Sequence, residues 1–271
     1  MLKTPLAAAV VTATGLVLVA GCSGTTGTSP SQSASASASA TDSHGEHPAW
    51  SYSGATGPDN WASISPEYAT CGTGKQQSPI NVSSPSASGK ANPSLGYTAT
   101  AGSVVNTGHS VNLVSPTGNV MNLAGTKYAL TQTHFHAPSE NTLDGKSFPI
   151  EFHFVHENAQ KQLAVLGVFV VPGATNAAWA PYVDQVALNT GDDDAHPIEI
   201  NWASMVPPLR GSIQFPGSLT TPPCTEGVSW VVDPNPITMS QAQIDAITAS
   251  YDHNARPVQP LNGRTLTVDK P

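Results

Sequence analysis

YALTQTHFH at residues 128–136 and EFHFVH at residues 151–156 are the two stretches that decide the fold and the candidate site. In the first stretch His134 and His136 are two positions apart. On a β-strand that spacing directs both imidazoles to the same face of the sheet. Gln132 has the same parity and shares that face. The first stretch is therefore predicted to be a strand that presents two imidazoles and an amide side by side.

The second stretch supplies a third imidazole. Glu151, His153 and Val155 share one face, whereas His156 points to the other face and is expected to have a structural role. Three neutral imidazoles around a zinc ion leave a fourth tetrahedral position open, which is typical of a catalytic site. The alternative is a packed or exposed histidine pair without a metal. The E-x-H pattern favours the metal, because metal-bound histidines need acceptors for their second ring nitrogen.

Residues 1–22 are typical of an export signal. Lys3 is the lone positive charge, an apolar run follows over residues 6–20, and the segment ends at Cys22. The run is too short and too weakly flanked for a comfortable transmembrane helix. The ending Leu-Val-Ala-Gly-Cys resembles a bacterial lipobox, in which Cys22 is lipidated and becomes the mature N-terminus. The alternative is an ordinary cleaved signal with an incidental cysteine.

Residues 23–47 are rich in serine, alanine, threonine and glycine and show no apolar periodicity, so we predict a flexible linker. Such a linker spans about 25–30 Å root-mean-square, which would hold a domain clear of a membrane. One acyl chain is a marginal anchor, so stable attachment would require more than one. Residues 48–271 are sufficient for one domain with a sizeable core.

Charge and cysteine content narrow the class of protein. The chain has 18 acidic and 10 basic residues, a formal net charge of −8 and no basic run, so nucleic acid is not an expected partner. The predicted domain contains Cys71 and Cys224. In an exported protein an isolated pair favours one disulfide; two free buried thiols are the alternative. The sequence gives no indication of the oligomeric state.

Strand patterns dominate the domain. Alternating or β-branched runs are separated by turn clusters, and the run 163–171 is almost continuously apolar, which suits a strand buried on both faces. Helical spacing occurs at 177–188 and 241–250, the second with Thr238 or Ser240 as its N-cap. We therefore predict a mostly β (α+β) single domain with a few short helices.

GSLTTPPCTEGVSW at residues 217–230 contains two adjacent threonines before a Pro-Pro pair. A rigid loop of this kind can present a hydroxyl group in a fixed position. The alternative is a structural turn that seats the disulfide of Cys224. These two roles are compatible.

Taken together, the motifs resemble those of the α-class carbonic anhydrases, and the resemblance extends over residues 50–267. The motifs are W-x-Y, G-K-x-Q-S-P-I-x, N-x-G-H, Q-x-H-F-H, P-S-E, E-x-H-x-V-H, A-V-L-G, G-S-L-T-T-P-P-C and R-P-x-Q-P-L-N-x-R. The resemblance implies a large, twisted, mainly antiparallel central sheet. It also implies a lyase, a carbonate dehydratase, that converts carbon dioxide and bicarbonate reversibly.

The resemblance implies a complete zinc centre. His134, His136 and His153 would be the ligands. Gln132 would accept a hydrogen bond from His134 and Glu151 one from His153, and the backbone carbonyl of Asn254 would orient His136.

In that family a zinc-bound hydroxide attacks carbon dioxide, and water displaces the bicarbonate. Thr220 would accept a hydrogen bond from the hydroxide and donate its own to Glu140, which is an orientation effect. The substrate pocket would be formed by Val155, Val165, Leu219, Thr221, Val228 and Trp230.

Each turnover leaves a proton that must reach solvent, and a histidine has a suitable intrinsic pKa for relaying it. By resemblance the relay is His109, assisted through ordered water by Tyr52, Asn106 and Asn112. The alternative is an exposed loop histidine without a function.

Asn141 departs from the family pattern. Relatives commonly carry histidine after the glutamate, so we expect the hydrogen bonding around Glu140 to differ. Two other classes of protein remain as alternatives. A cupin-like metalloprotein would use four protein ligands, and a non-catalytic carbonic-anhydrase-like binding module typically lacks one or more of the histidines. The leading hypothesis is an extracytoplasmic enzyme that contacts the cell membrane only through a lipid anchor.

Overall fold

The computed structural model describes residues 48–83, 87–89, 93–188 and 195–269. The predicted signal with Cys22 and the predicted linker lie outside the described residues. Within the described part of the chain no helix is both long enough and apolar enough to span a bilayer.

Strands form most of the structure. Two of them make a small parallel pair, β1 (Asn81–Val82) with β8 (Thr142–Leu143). The twelve strands of the main sheet are β2 (Ala87–Ser88), β3 (Ser94–Gly96), β4 (Ala99–Asn106), β5 (Val111–Val114), β6 (Val120–Leu123), β7 (Thr126–His136), β9 (Ile150–Glu157), β10 (Leu163–Pro172), β11 (His196–Asn201), β12 (Ser212–Ser218), β13 (Glu226–Met239) and β14 (Thr267–Asp269).

The order of the main sheet is β11-β4-β5-β7-β9-β10-β13-β12-β14-β2, with β6 beside β7 and β3 beside β6. All pairs are antiparallel except β10 with β13 and β14 with β2. The predicted mainly antiparallel sheet is confirmed. Because β10 pairs in parallel at the centre of the sheet and is buried on both faces, its sequence is a continuous apolar run rather than an alternating one.

The helices are short. They are α1 (Trp61–Ile64), α2 (Thr70–Thr73), α3 (Ala180–Leu188), α4 (Trp202–Met205) and α5 (Gln241–Thr248), with 3-10 turns at Gly54–Thr56, Pro66–Tyr68 and Ala177–Trp179. The two helices predicted from periodicity are confirmed. Ser240 caps α5 in a capping box with Gln243, whereas Thr238 belongs to β13.

Alternate side chains of the central strands enter two separate hydrophobic cores. Phe152 and Phe154 of β9 pack on one face of the sheet against Trp179 and Tyr182, under α3 and α5. We call this the helix-covered face. The other face carries a second core around Val165, Phe215 and Trp230, and we call it the open face.

A disulfide joins Cys71 of α2 to Cys224, 153 residues further along the chain. Both cysteines are buried beside Trp61 and Tyr68. The bond therefore ties the N-terminal part of the domain to the loop that follows β12.

Candidate active site

Antiparallel pairing of β7 with β9 assembles the three histidines. His134 is directly opposite His153, and His136 is directly opposite Glu151. One ring nitrogen from each of His134, His136 and His153 lies within 4.8 Å of the others. This is a separation that one metal ion could bridge.

A β-bulge at residue 131 decides which face of β7 these histidines occupy. Between Leu130 and Gln132 the register of β7 against β9 shifts by one residue. Before the bulge the even-numbered side chains, such as Leu130, enter the helix-covered core, and after it the odd-numbered Phe135 does. The bulge therefore places Gln132, His134 and His136 on the open face.

Each histidine has one ring nitrogen close to an oxygen atom of a neighbouring group. Nδ1 of His134 lies 2.8 Å from Oε1 of Gln132, and Nδ1 of His136 lies 2.6 Å from the carbonyl oxygen of Asn254. Nε2 of His153 lies 3.1 Å from Oε1 of Glu151. These contacts direct the opposite nitrogens, Nε2, Nε2 and Nδ1, towards the shared point.

The donor set fits a metal ion. Nε2 of His136 is buried and has no hydrogen-bond partner among the described residues, which is costly unless something binds it. Burial, followed by the charge of His153, lowers the pKa of His134 to about 3 and that of His136 well below its usual value. Neutral imidazoles with free lone pairs are the ligands that zinc takes in catalytic sites.

His153 differs electrostatically from the other two histidines. Burial alone would lower its pKa, but the charge and hydrogen bond of Glu151 and the charge of Glu140 raise it above the usual value. The two carboxylates therefore make His153 the most basic imidazole of the three, which strengthens it as an electron-pair donor.

Glu140 lies directly beside the cluster. Its Oε2 is 3.5 Å from Nε2 of His136 and 3.9 Å from Nδ1 of His153, and its Oε1 accepts a 2.8 Å hydrogen bond from the backbone N–H of Arg256. Burial raises the pKa of Glu140 to about 7, while His153 and the Thr220 hydroxyl oppose the rise. A nearby cation would favour the carboxylate form further.

The loop at 217–230 brings Thr220 to Glu140 and also seats the disulfide, so both roles considered for it occur together. The loop is closed by two backbone hydrogen bonds, from Leu219 N–H to the carbonyl of Thr225 and from Cys224 N–H to the carbonyl of Thr221. Thr220 is buried, with 6% of its surface exposed.

A cavity of about 260 Å³ opens above the histidines. It is lined by Trp50, Tyr52, Thr107, His109, Ser110, Asn112, Gln132, His134, His136 and Thr221. Of the predicted proton pathway, Tyr52, His109 and Asn112 line it. Asn106 does not, because its Oδ1 accepts hydrogen bonds from the Tyr251 hydroxyl and the N–H of Gly108. Asn106 thus supports the loop that carries His109.

His109 is stacked on Trp50, with ring centroids 3.7 Å apart, and its Nε2 lies 3.0 Å from the carbonyl oxygen of Trp50. Asn254 donates a hydrogen bond from Nδ2 to the carbonyl oxygen of His109. Trp50 is a contact that the sequence analysis missed. The W-x-Y motif was visible, but nothing local joins it to a residue 59 positions away.

The apolar side of the site belongs to the open-face core. Val165, Val228 and Trp230 are buried there, and Val155 and Leu219 pack against them. The Trp230 ring meets the His153 ring edge-on, with centroids 4.9 Å apart. The predicted apolar wall therefore adjoins the histidine cluster.

Asn141 is directed away from Glu140. It makes no hydrogen bond to Glu140 in the described structure. Instead its backbone N–H and its Nδ2 both donate to the carboxylate of Glu151, each at 2.7 Å. Glu140 and Asn141 are adjacent in sequence but point in different directions. Asn141 therefore contacts Glu151, at Nε2 of His153, and not Glu140, which lies near Nδ1 of His153.

Several known proteins are similar to this chain in sequence and in fold. A sequence model of one family, described as eukaryotic-type carbonic anhydrase, matches residues 56–270. A carbonic anhydrase of Pectobacterium atrosepticum is 39% identical over 220 residues, covering 80% of this chain and 89% of that protein. A carbonic anhydrase of Neisseria gonorrhoeae is 38% identical over 231 residues, covering 82% and 89% respectively.

A solved structure leads to the same family. The α-carbonic anhydrase of Thermovibrio ammonificans, in complex with the inhibitor sulfanilamide, superposes with a TM-score of 0.75 at 36% identity and covers 83% of this chain and all of its own. Fold and site together define a mostly β enzyme with a three-histidine centre. The chain belongs to the α-class, or eukaryotic-type, carbonic anhydrase family, as its motifs indicated.

Proposed function

We propose that this chain catalyses the reversible hydration of carbon dioxide to bicarbonate and a proton, with zinc held by His134, His136 and His153. One observation carries the proposal. Three ring nitrogens converge within 4.8 Å, while an oxygen atom lies 2.6–3.1 Å from the other nitrogen of each ring. A zinc ion bound by these three histidines would make hydroxide available near neutral pH by making bound water more acidic, an effect for which carbonic anhydrase is itself the standard example.

Thr220 and Glu140 orient the attacking oxygen. The buried carboxylate of Glu140 is fixed by the Arg256 N–H and is a suitable acceptor for the Thr220 hydroxyl proton. With its proton committed to Glu140, the hydroxyl oxygen of Thr220 can only accept from the attacking group. One lone pair of the attacking oxygen is thereby turned towards the substrate.

The apolar wall receives carbon dioxide. The substrate has no dipole moment, so it gains from apolar surface rather than from hydrogen bonds. That surface lies next to His153 and is provided by Val155, Val165, Leu219, Val228 and Trp230. Thr221 lines the cavity above the histidines.

His109 relays the proton to solvent across this cavity, through water held by Tyr52 and Asn112. Burial, followed by the charge of Glu140, raises the pKa of Tyr52 well above its usual value. The phenol therefore keeps its proton and orders water without competing for the transferred proton.

We also propose that the enzyme works outside the cytoplasm, anchored to the cell membrane through lipidated Cys22. The disulfide Cys71–Cys224 supports an oxidising compartment, and the sequence of residues 1–22 supports export. Mass spectrometry of the mature N-terminus tests the anchor: an unmodified or absent Cys22 would overturn it.

Stopped-flow measurement of carbon dioxide hydration tests the function. The purified chain is assayed as isolated, after chelation and after zinc is returned. We expect activity that disappears on chelation and returns with one zinc per chain. Absence of activity with one zinc bound would favour the non-catalytic binding module, and a fourth protein ligand or a requirement for iron or manganese would favour the cupin-like alternative.

A further inference from the structure

Asn141 is a fully buried amide that joins two parts of the molecule. Its Oδ1 accepts a 3.0 Å hydrogen bond from the N–H of Ile80, just before the pairing of β1 with β8. Its Nδ2 and its backbone N–H donate to Oε1 and Oε2 of Glu151. Because the Ile80 N–H requires an acceptor, the amide orientation is fixed, and Nδ2 must face Glu151.

The carboxylate of Glu151 is enclosed on its other sides. Oε1 also lies 3.1 Å from Nε2 of His153. On the neighbouring strand β10, Gly167 is opposite His153, and a Cβ atom at that position would lie 2.7 Å from the same oxygen. Glu151 therefore has little room to rotate, and both of its oxygens are held by Asn141.

We propose that Asn141 is a positioning residue that fixes Glu151 against His153 and thereby slows the loss of metal from the histidine cluster. Its two neutral donors hold the carboxylate without giving it a proton, so Glu151 stays a full acceptor for His153. Groups that orient metal ligands from outside typically change metal affinity by about 10- to 100-fold when removed.

The test measures zinc release from the full chain into excess chromophoric chelator, which needs no activity assay. Asn141→Asp keeps the acceptor for Ile80 but replaces the donor to Glu151 by a second carboxylate oxygen. We expect zinc release at least about 10-fold faster than from the wild type. Asn141→Ala introduces no charge, should also accelerate release, and serves if the aspartate variant does not fold.

Asn119 provides a matched control. It is also fully buried, accepts at Oδ1 from the N–H of Thr98 and donates from Nδ2 to Ser115. Asn119→Asp therefore makes the same chemical change away from the site. The rate of zinc release from this variant should stay within about twofold of the wild-type rate, even if the melting temperature falls. Among the residues that the structure describes, the side chain of Asn119 contacts none that is hydrogen-bonded to one of the three histidines.

Combining the Asn141 substitution with Glu151→Gln distinguishes a positioning role of Asn141 from a general loss of structure. In Glu151→Gln, which already lacks the carboxylate, Asn141→Asp should add no further acceleration. Wild-type release from both Asn141 variants, equal acceleration in the Asn119 control, or full additivity with Glu151→Gln would overturn the inference.

The inference rests on the proposed zinc site, but the two fail in different ways. A wild-type chain that holds no zinc would overturn the proposed function and this inference together. A wild-type chain that holds zinc, with unchanged release from the variants, would overturn this inference alone.

Discussion

His153 and His156 lie three residues apart on β9, and both are almost completely buried, yet their surroundings differ. On the helix-covered face His156 has a partner at each ring nitrogen, the Tyr97 hydroxyl 2.6 Å from Nε2 and the carbonyl of Ala164 3.3 Å from Nδ1. On the open face His153 has Glu151 at Nε2, while its Nδ1 points to His134 and His136.

The difference shows that burial alone does not identify a ligand. A buried histidine whose two nitrogens are both matched by protein groups is a structural residue. A buried histidine whose second nitrogen faces two other imidazoles, with no protein group between them, is a candidate ligand for a metal ion. The unmatched nitrogens, rather than the number of histidines, carry the functional information.

Replacing each of these histidines in turn tests the distinction between them most directly, and we expect the largest effect here. His153→Ala should abolish both stoichiometric zinc binding and carbon dioxide hydration. His156→Phe should retain one zinc per chain and near wild-type activity, but lose about 1–3 kcal/mol of stability because the Tyr97 hydroxyl is left unpaired. Metal analysis and calorimetry check both, and loss of zinc from His156→Phe would contradict the distinction.

Removing the Thr220 hydroxyl tests the open-face site without touching a ligand. Thr220→Val should lower kcat/KM by about 10²-fold, because the attacking oxygen is no longer oriented, while zinc stoichiometry stays at one. Thr220→Ser keeps the hydroxyl and should restore most of the activity. Equal rates in the valine and serine variants would rule out the orienting role.

Removing the relay should have a smaller effect. His109→Ala should lower kcat by about 10-fold in dilute buffer, with kcat/KM little changed, because proton release follows the step that converts substrate. Added imidazole should restore turnover. Exposed His253, which pairs with Asp252, gives the control His253→Ala with unchanged kcat. Failure of imidazole to rescue would exclude His109 as the relay.

The smallest effect on activity is expected from the structural histidine, His156, whose contribution is limited to stability. Burial lowers the pKa of His156 to about 4, below its unfolded value near 6.5. The unfolded chain therefore binds the proton first, and stability falls as pH drops from about 6.5 to 4, by about 3 kcal/mol. In metal-free protein, urea unfolding at several pH values should show a smaller loss for His156→Phe. Identical pH dependence would contradict this assignment.

Sequence reasoning identified the parts of the site that depend on local spacing. The parity of Gln132, His134 and His136 placed them on one face because all three lie on the same side of the bulge in β7. The apolar run of β10 was recognisable as a strand because its length and burial leave little choice.

The features of the site that were not predicted from the sequence depend on contacts between residues far apart in the chain. The stacking of His109 on Trp50 and the contact of Asn141 with Glu151 arise from the way the strands are arranged, and no periodicity encodes them. The bulge itself was also missed, because residues 128–136 show no glycine or proline that would mark it.

The bulge in β7 makes the length of this strand more important than its composition. Thr131 lies at the bulge with an exposed side chain, and its hydroxyl donates a 2.9 Å hydrogen bond to the carbonyl oxygen of Val155 on β9. Deleting one residue there would remove the shift and turn His134 and His136 towards the helix-covered core, while His153 stayed in place. A single-residue insertion or deletion in this segment would therefore divide the three imidazoles between the two sides of the sheet.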